Sequence, residues 1–161
     1  MKEAPNEDPL RAQLVRLLDW EEGHVGFDKA VDGLSPQQRG VCLPGFEHTP
    51  WQLLEHLRLA QKDLLDFCAN PRYVHALKWP DDYWPQNALP ETQADWENSI
   101  KTINENLDEF IELLKKSENI YALLGHGTGQ TLLREAMLIA DHNSYHTGEI
   151  IVLRRLLGNW K

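Results

Sequence analysis

Along most of this chain apolar residues recur at steps of three and four, the period of a helix with one buried face. From Leu10 the series Leu14, Leu17, Leu18, Val25 and Val31 keeps that step as far as Gly33. It follows Asp8-Pro9, an acceptor side chain before a proline that needs no N–H at the first helical position. Gly23 and Gly26 weaken this first helix, each by about 1 kcal/mol relative to alanine. A loop is expected over Leu34 to His48, which holds Pro36, Gly40, Pro44 and Gly45. Thr49-Pro50-Trp51-Gln52 then has the form of a capping box with proline at its first helical position. The second helix carries Leu53, Leu57, Ala60, Leu64 and Phe67 on one stripe and stops before Asn70-Pro71.

Between Pro71 and Pro90 the pattern changes. Pro80, Pro85 and Pro90 exclude regular structure, while Tyr73, Trp79, Tyr83 and Trp84 are too apolar for a disordered linker. An ordered loop packed across the helices is expected. A third helix is predicted from Glu91 to Ser117, with Trp96, Ile100, Ile103, Leu107, Phe110 and Leu114 on its apolar stripe. Gly125, Gly127 and Gly129 mark the next break, and a fourth helix runs from Gln130 to Leu157 before Gly158, a suitable left-handed cap. Nothing alternates like a strand, so the expected fold is an all-α bundle of four helices.

Composition narrows the function. A chain of 161 residues is the size of one domain, here 1–161 with residues 1–8 as a frayed tail. Its formal charge of −9 repels a phosphate backbone, and no run of Lys or Arg forms a basic stripe, so nucleic acid is not an expected partner. Arg154-Arg155 more simply complements the C-terminal end of its helix. No apolar stretch approaches the ~18 residues that span a bilayer, and the first residues lack the apolar centre of a signal peptide. Cys42 and Cys68 match no zinc spacing or disulfide framework. A cytoplasmic protein without membrane partners is the expectation.

The chemistry lies in the seven histidines. His142 and His146 stand four apart, which puts both imidazoles on one helical face about 6 Å apart along the axis. That face is the apolar one, through Leu132, Ala136, Ile139, Ile150, Leu153 and Leu157. His56 sits likewise among Leu53, Leu57 and Ala60. Polar groups turned into a core cost about 1–3 kcal/mol each unless satisfied, and one shared ion would satisfy all three rings. Hydrogen bonds to neighbouring helices, or a solvated helix face for the spaced pair, account for the same residues. Asn143 stands where a zincin helix has its glutamate, so that motif is absent.

Three segments together resemble the DinB family of helical bundles: His48-Thr49-Pro50-Trp51-Gln52-Leu53-Leu54-Glu55-His56-Leu57, then Trp79-Pro80 with Tyr83-Trp84-Pro85, and Asp141-His142-Asn143-Ser144-Tyr145-His146-Thr147-Gly148-Glu149. The likeness covers nearly the whole chain. It implies an up-down four-helix bundle, often homodimeric, in which His56, His142 and His146 hold one divalent ion. Glutamine is frequent in the family where this chain has Glu149, which leaves an outer partner, a fourth ligand or a base as its role. Three imidazoles leave a coordination position open, and nitrogen ligands suit Zn, Ni, Fe and Co, and Mn less well.

The resemblance further implies metal-dependent thiol transfer or a related reaction, with a low-molecular-weight thiol or water activated by the ion. The expectation is therefore a thiol S-transferase-like or hydrolase-like enzyme acting on a small molecule, with Glu149 and His24 as candidate proton-transfer residues. The alternative is a non-catalytic metal-binding bundle in a stress-related structural or interaction role. His24 falls seven residues after Leu17, near the inward face, where it could line the pocket, pack as a core histidine or sit at a dimer interface. His48 is expected to order its loop, and neither His75 nor His126 has an evident partner. The aromatic residues of the 71–90 loop are expected to form a core-covering lid, with a rim over a metal pocket that binds an apolar substrate as the alternative. Glu105, Asp108, Glu109 and Glu112 mark a solvated helix face.

Overall fold

The computed structural model describes residues 9–19 and 23–160; the tail expected over residues 1–8 lies outside them. Among the described residues there are six α-helices: α1 (Pro9–Leu18), α2 (Phe27–Val31), α3 (Pro36–Arg39), α4 (Pro50–Ala69), α5 (Gln93–Lys116) and α6 (Leu132–Leu156). They contain no sheet, only an isolated bridge between Leu123 and Thr131. Helix α4 packs on both α5 and α6, α1 lies against α5 and α6, and α2 lies against α6. The pairs Trp51–Trp96, Glu55–Ser99 and Gln61–Ile103 advance together along α4 and α5, so these two run parallel and the expected up-down alternation does not hold; the long loop between them lets the chain return to the starting end. No helix among these residues is long and apolar enough to cross a membrane.

The three longest helices start where a threonine accepts the first free backbone N–H groups. Thr49, Thr92 and Thr131 take the N–H of Gln52, Asp95 and Arg134. At the first two ends the exchange is reciprocal, because Gln52 and Asp95 accept from the Thr49 and Thr92 N–H groups. Past α6, Gly158 takes φ +69°, the left-handed cap its position calls for.

The N-terminal helix is shorter than the apolar spacing implies. It stops at Leu18, and the next helix among the described residues runs from Phe27 to Val31. Gly26 stands before α2 in an extended conformation, φ −72° and ψ 170°. Two glycines within four positions cost more than the sparse apolar residues there return, so the backbone leaves the helix. Helix α3 lies inside the segment expected to be loop; Ser35-Pro36 opens it, with the Gln38 side chain accepting the Ser35 N–H. Beside it Gly40 is forced by contact, since a Cβ there would come within 2.7 Å of Leu89.

Arginines tie the short elements to the long ones. Arg11 reaches the carbonyls of Leu114 and Ser117 at the end of α5. Arg39 donates to Leu34 O and Gln93 Oε1 and lies 4.5 Å over the Trp96 ring. Arg154, buried, donates across to the Lys29 and Ala30 carbonyls at the end of α2 and to Asn159 O. Its guanidinium therefore serves a neighbouring helix as well as its own.

The apolar interior is in two parts. One cluster joins Val31, Leu34, Leu53, Leu57, Trp96, Ile103, Ile150 and Leu153. The other joins Leu14, Leu65, Phe110, Leu114, Leu132 and Ile139. Between them, at mid-height on α4, α5 and α6, stand Gln61, Asn106 and Asn143. Gln61 is fully buried and bonds to Ile103 O at 2.6 Å and to Asn143 at 2.7 Å. The histidines of α4 and α6 flank this polar layer.

Candidate metal centre

Side chains of two helices make the centre. His56 comes from α4, His142 and His146 from successive turns of α6, and one ring nitrogen from each lies within 4.8 Å of the others. His56 and His146 are buried and His142 is half-buried. Nε2 of His56 and Nε2 of His142 are 3.0 Å apart. Two nitrogens of a tetrahedral zinc shell, each at about 2.0–2.1 Å from the ion, stand about 3.3 Å apart. The spacing thus fits ligands of one ion with small ring movements.

Outer partners orient two of the rings. Nδ1–H of His56 donates to the Tyr83 carbonyl at 3.0 Å, and Nδ1–H of His146 donates to Glu149 Oε2 at 2.6 Å. A carbonyl can only accept, so a neutral His56 keeps its lone pair on Nε2, and the carboxylate selects the same tautomer for His146. Burial pushes all three imidazoles from 6.5 down to about 4, with neighbouring histidines adding to the effect. At neutral pH they are uncharged donors with lone pairs to give, which is the state a divalent ion requires. The residues fit such an ion.

Aromatic rings close one side. Trp84 lies flat between two histidines, with ring centroids 3.8 Å from His56 and 3.6 Å from His48. His48, expected to order its own loop, stacks here on a residue of the 71–90 loop. A single 3-10 turn, Asp81–Tyr83, carries the loop over α4. Tyr83 is the loop's anchor: its hydroxyl donates to Asp63 Oδ2 at 2.6 Å and takes the Nε2–H of His75 at 2.9 Å. Tyr73 donates to the other Asp63 oxygen at 2.5 Å. Burial, and then Asp63, raise the pKa of both phenols, so each stays a donor. Trp79, 66% exposed, stands at the rim with its ring 6.4 Å from that of His56.

The two proton-transfer candidates are placed differently. Glu149 is in contact with the cluster through His146, and burial raises its carboxyl pKa. His24 is exposed rather than inward-facing, because α1 ends before it and the seven-residue step from Leu17 no longer applies. Its ring contacts Val25 O and Ser144 Oγ. Residue 144 is about 160–200° around α6 from residues 142 and 146, so His24 sits beyond the helix from the imidazoles. There it lines a cavity of about 100 Å³ with Leu57, Asn143, Ser144 and Thr147. His126, unassigned from sequence, holds Phe67 O through Nε2 at 2.7 Å.

Sequence reasoning missed the Tyr83 carbonyl, since any residue could supply one. Gln61 was more accessible: it stands one turn after Leu57 on the apolar stripe of α4, where a carboxamide calls for a partner. Cys68 is held near 12 by burial and by Glu135, which removes it as a nucleophile. No family model matches the chain, and neither curated proteins nor solved structures match it.

Proposed function

We infer that this chain is a DinB-like four-helix bundle whose three histidines hold one divalent ion for a reaction on a small molecule. The observation that carries the reading is the convergence of three neutral imidazoles, two of them fixed in the Nε2-ligating tautomer by Tyr83 O and Glu149. His56, His142 and His146 are the ligands, and Zn, Ni, Fe, Co or Mn is the ion. Such an ion supplies Lewis acidity that lowers the pKa of a thiol or water beside it.

The protein's own residues supply the rest. Trp84 and Trp79 exclude water from one side of the imidazoles and offer apolar surface to a substrate. Glu149 orients His146 and is the base nearest the centre. Because its carboxylate is engaged with His146 Nδ1, it is used as an outer partner and not as a fourth ligand. That favours an open coordination position, hence thiol S-transferase-like or hydrolase-like catalysis over a closed structural site. Homodimer formation and a low-molecular-weight thiol as substrate belong to the same reading, and their support is the family resemblance; cytoplasmic placement is carried over from the sequence features alone. His24 enters as a second proton carrier only for a substrate long enough to reach around α6.

Elemental mass spectrometry of untagged protein, beside His56→Ala and His142→Ala, tests the centre. Near one equivalent of a divalent metal in the parent, lost in both variants while they remain helical, is the expected result. A metal-free parent that cannot be loaded with Zn, Ni, Mn, Fe or Co overturns it. Loaded protein is then assayed with thiols and electrophiles, and with hydrolysable esters and amides.

A further inference from the structure

His142 lacks the support the other two rings have. Its one hydrogen bond among the described residues runs through Nε2 to His56, whereas the Nδ1–H groups of His56 and His146 are both taken. In that Nε2···Nε2 contact only one nitrogen carries the proton. His56 already carries its own on Nδ1, so the shared proton belongs to Nε2 of His142. An ion bound at that nitrogen displaces the proton, and the neutral ring then carries it on Nδ1.

An acceptor stands ready beside it. The Ile103 carbonyl can only accept, so Gln61 turns its Nε2–H toward it, at 2.6 Å. The carboxamide oxygen of Gln61 is thereby aimed at Asn143, which donates Nδ2–H to it at 2.7 Å. This relay leaves the Asn143 Oδ1 pointing away from Gln61, buried and without a partner. A buried acceptor left unpaired costs about 1–3 kcal/mol, which a new donor would recover. The Asn143 carboxamide lies within hydrogen-bonding reach of the His142 ring.

We propose that Asn143 is the positioning residue of the third ligand: its Oδ1 takes the Nδ1–H of His142 when Nε2 binds metal, and Gln61, anchored on Ile103, holds the carboxamide in place. The proposal rests on the metal reading above and completes it, giving each histidine a different acceptor: carbonyl, carboxamide and carboxylate. The pairing of ring and acceptor is what restrains His142, the one ligand that is only half-buried.

Two measurements test it. Imidazole ¹⁵N–¹H correlation spectra of the zinc-loaded parent report the tautomer directly; His142 is expected with its proton on Nδ1 and protected from exchange. Zinc affinity by competition with a chromophoric chelator is expected to fall about 10–100-fold in Asn143→Leu and less in Gln61→Leu. Asn143→Asp, which retains the acceptor, is expected to recover most of the loss. A His142 Nδ1 that stays unprotonated in the zinc-loaded parent overturns the proposal without recourse to any variant. Unchanged affinity in a folded Asn143→Leu does the same and assigns Oδ1 to a donor in the adjoining cavity. In both cases the metal centre stands, whereas a parent that binds no zinc, nickel, manganese, iron or cobalt removes both readings.

Discussion

Acidifying the metal-free protein should unfold it through its own metal ligands. His56, His142 and His146 are each held near 4 in the fold against 6.5 for a free imidazole. Between those values the unfolded chain binds protons that the folded one refuses, so stability falls as pH falls. It is complete above about pH 6.5, declines toward pH 4 and levels off below. A ring with this shift loses about 2 kcal/mol of stabilisation between pH 7.5 and pH 5. For His56 and His142 together the ceiling is about 4 kcal/mol, and the proton already between their Nε2 atoms lowers it toward 2–3. Urea unfolding in excess chelator measures this, comparing the parent with His56→Gln/His142→Gln at both pH values. The double variant leaves the His146–Glu149 pair intact, so the difference between the two pH dependences isolates the two rings. The parent should lose about 2–4 kcal/mol more than the variant over this interval. Equal losses would refute the claim that burial keeps these imidazoles neutral.

Three other perturbations have defined outcomes. Glu149→Ala frees Nδ1 of His146 and should weaken metal binding about tenfold in chelator competition, with Glu149→Gln intermediate because its carbonyl still accepts. Trp84→Ala removes the plane stacked on His56; the His56 pKa should rise from about 4 toward 6.5 by proton NMR titration. The same change should cost about 1–3 kcal/mol in urea, less than a fully buried tryptophan. Arg154→Met leaves the Lys29, Ala30 and Asn159 carbonyls without their donor and should cost about 2–3 kcal/mol, lost first as protection of α2 in hydrogen exchange.

Helices α4, α5 and α6 were legible to within two residues because their ends are written in local chemistry. Thr49 with Gln52, Thr92 with Asp95, Thr131 and Gly158 each act over a single turn, and such signals need no tertiary knowledge. The first helix was misread because apolar spacing cannot tell one continuous helix from two short ones whose faces happen to align. Only the glycines at 23 and 26 differ, and their cost is decided by packing. The same error moved His24 to the wrong side of its segment. Of the centre, the spacing of His142 and His146 was visible and the convergence of His56 was inferable from its stripe. What holds those rings was not, because the Tyr83 carbonyl and the Trp84 stack come from a loop with no periodicity to read.

The polar layer that separates the two apolar clusters also indexes the helices. A core of leucine from end to end would let α4 slide along α6 by one turn, about 5.4 Å, with little change in area removed from water. Here such a slide carries Gln61 from Asn143 to the level of Ile139 in one direction and of Thr147 in the other. It breaks the bond to Asn143 and leaves a buried carboxamide facing the wrong neighbour. Gln61 and Asn143 therefore work as a detent that admits a single longitudinal setting of α4 on α6. Five residues before Gln61 and one before Asn143, the imidazoles of His56 and His142 are brought level by that setting.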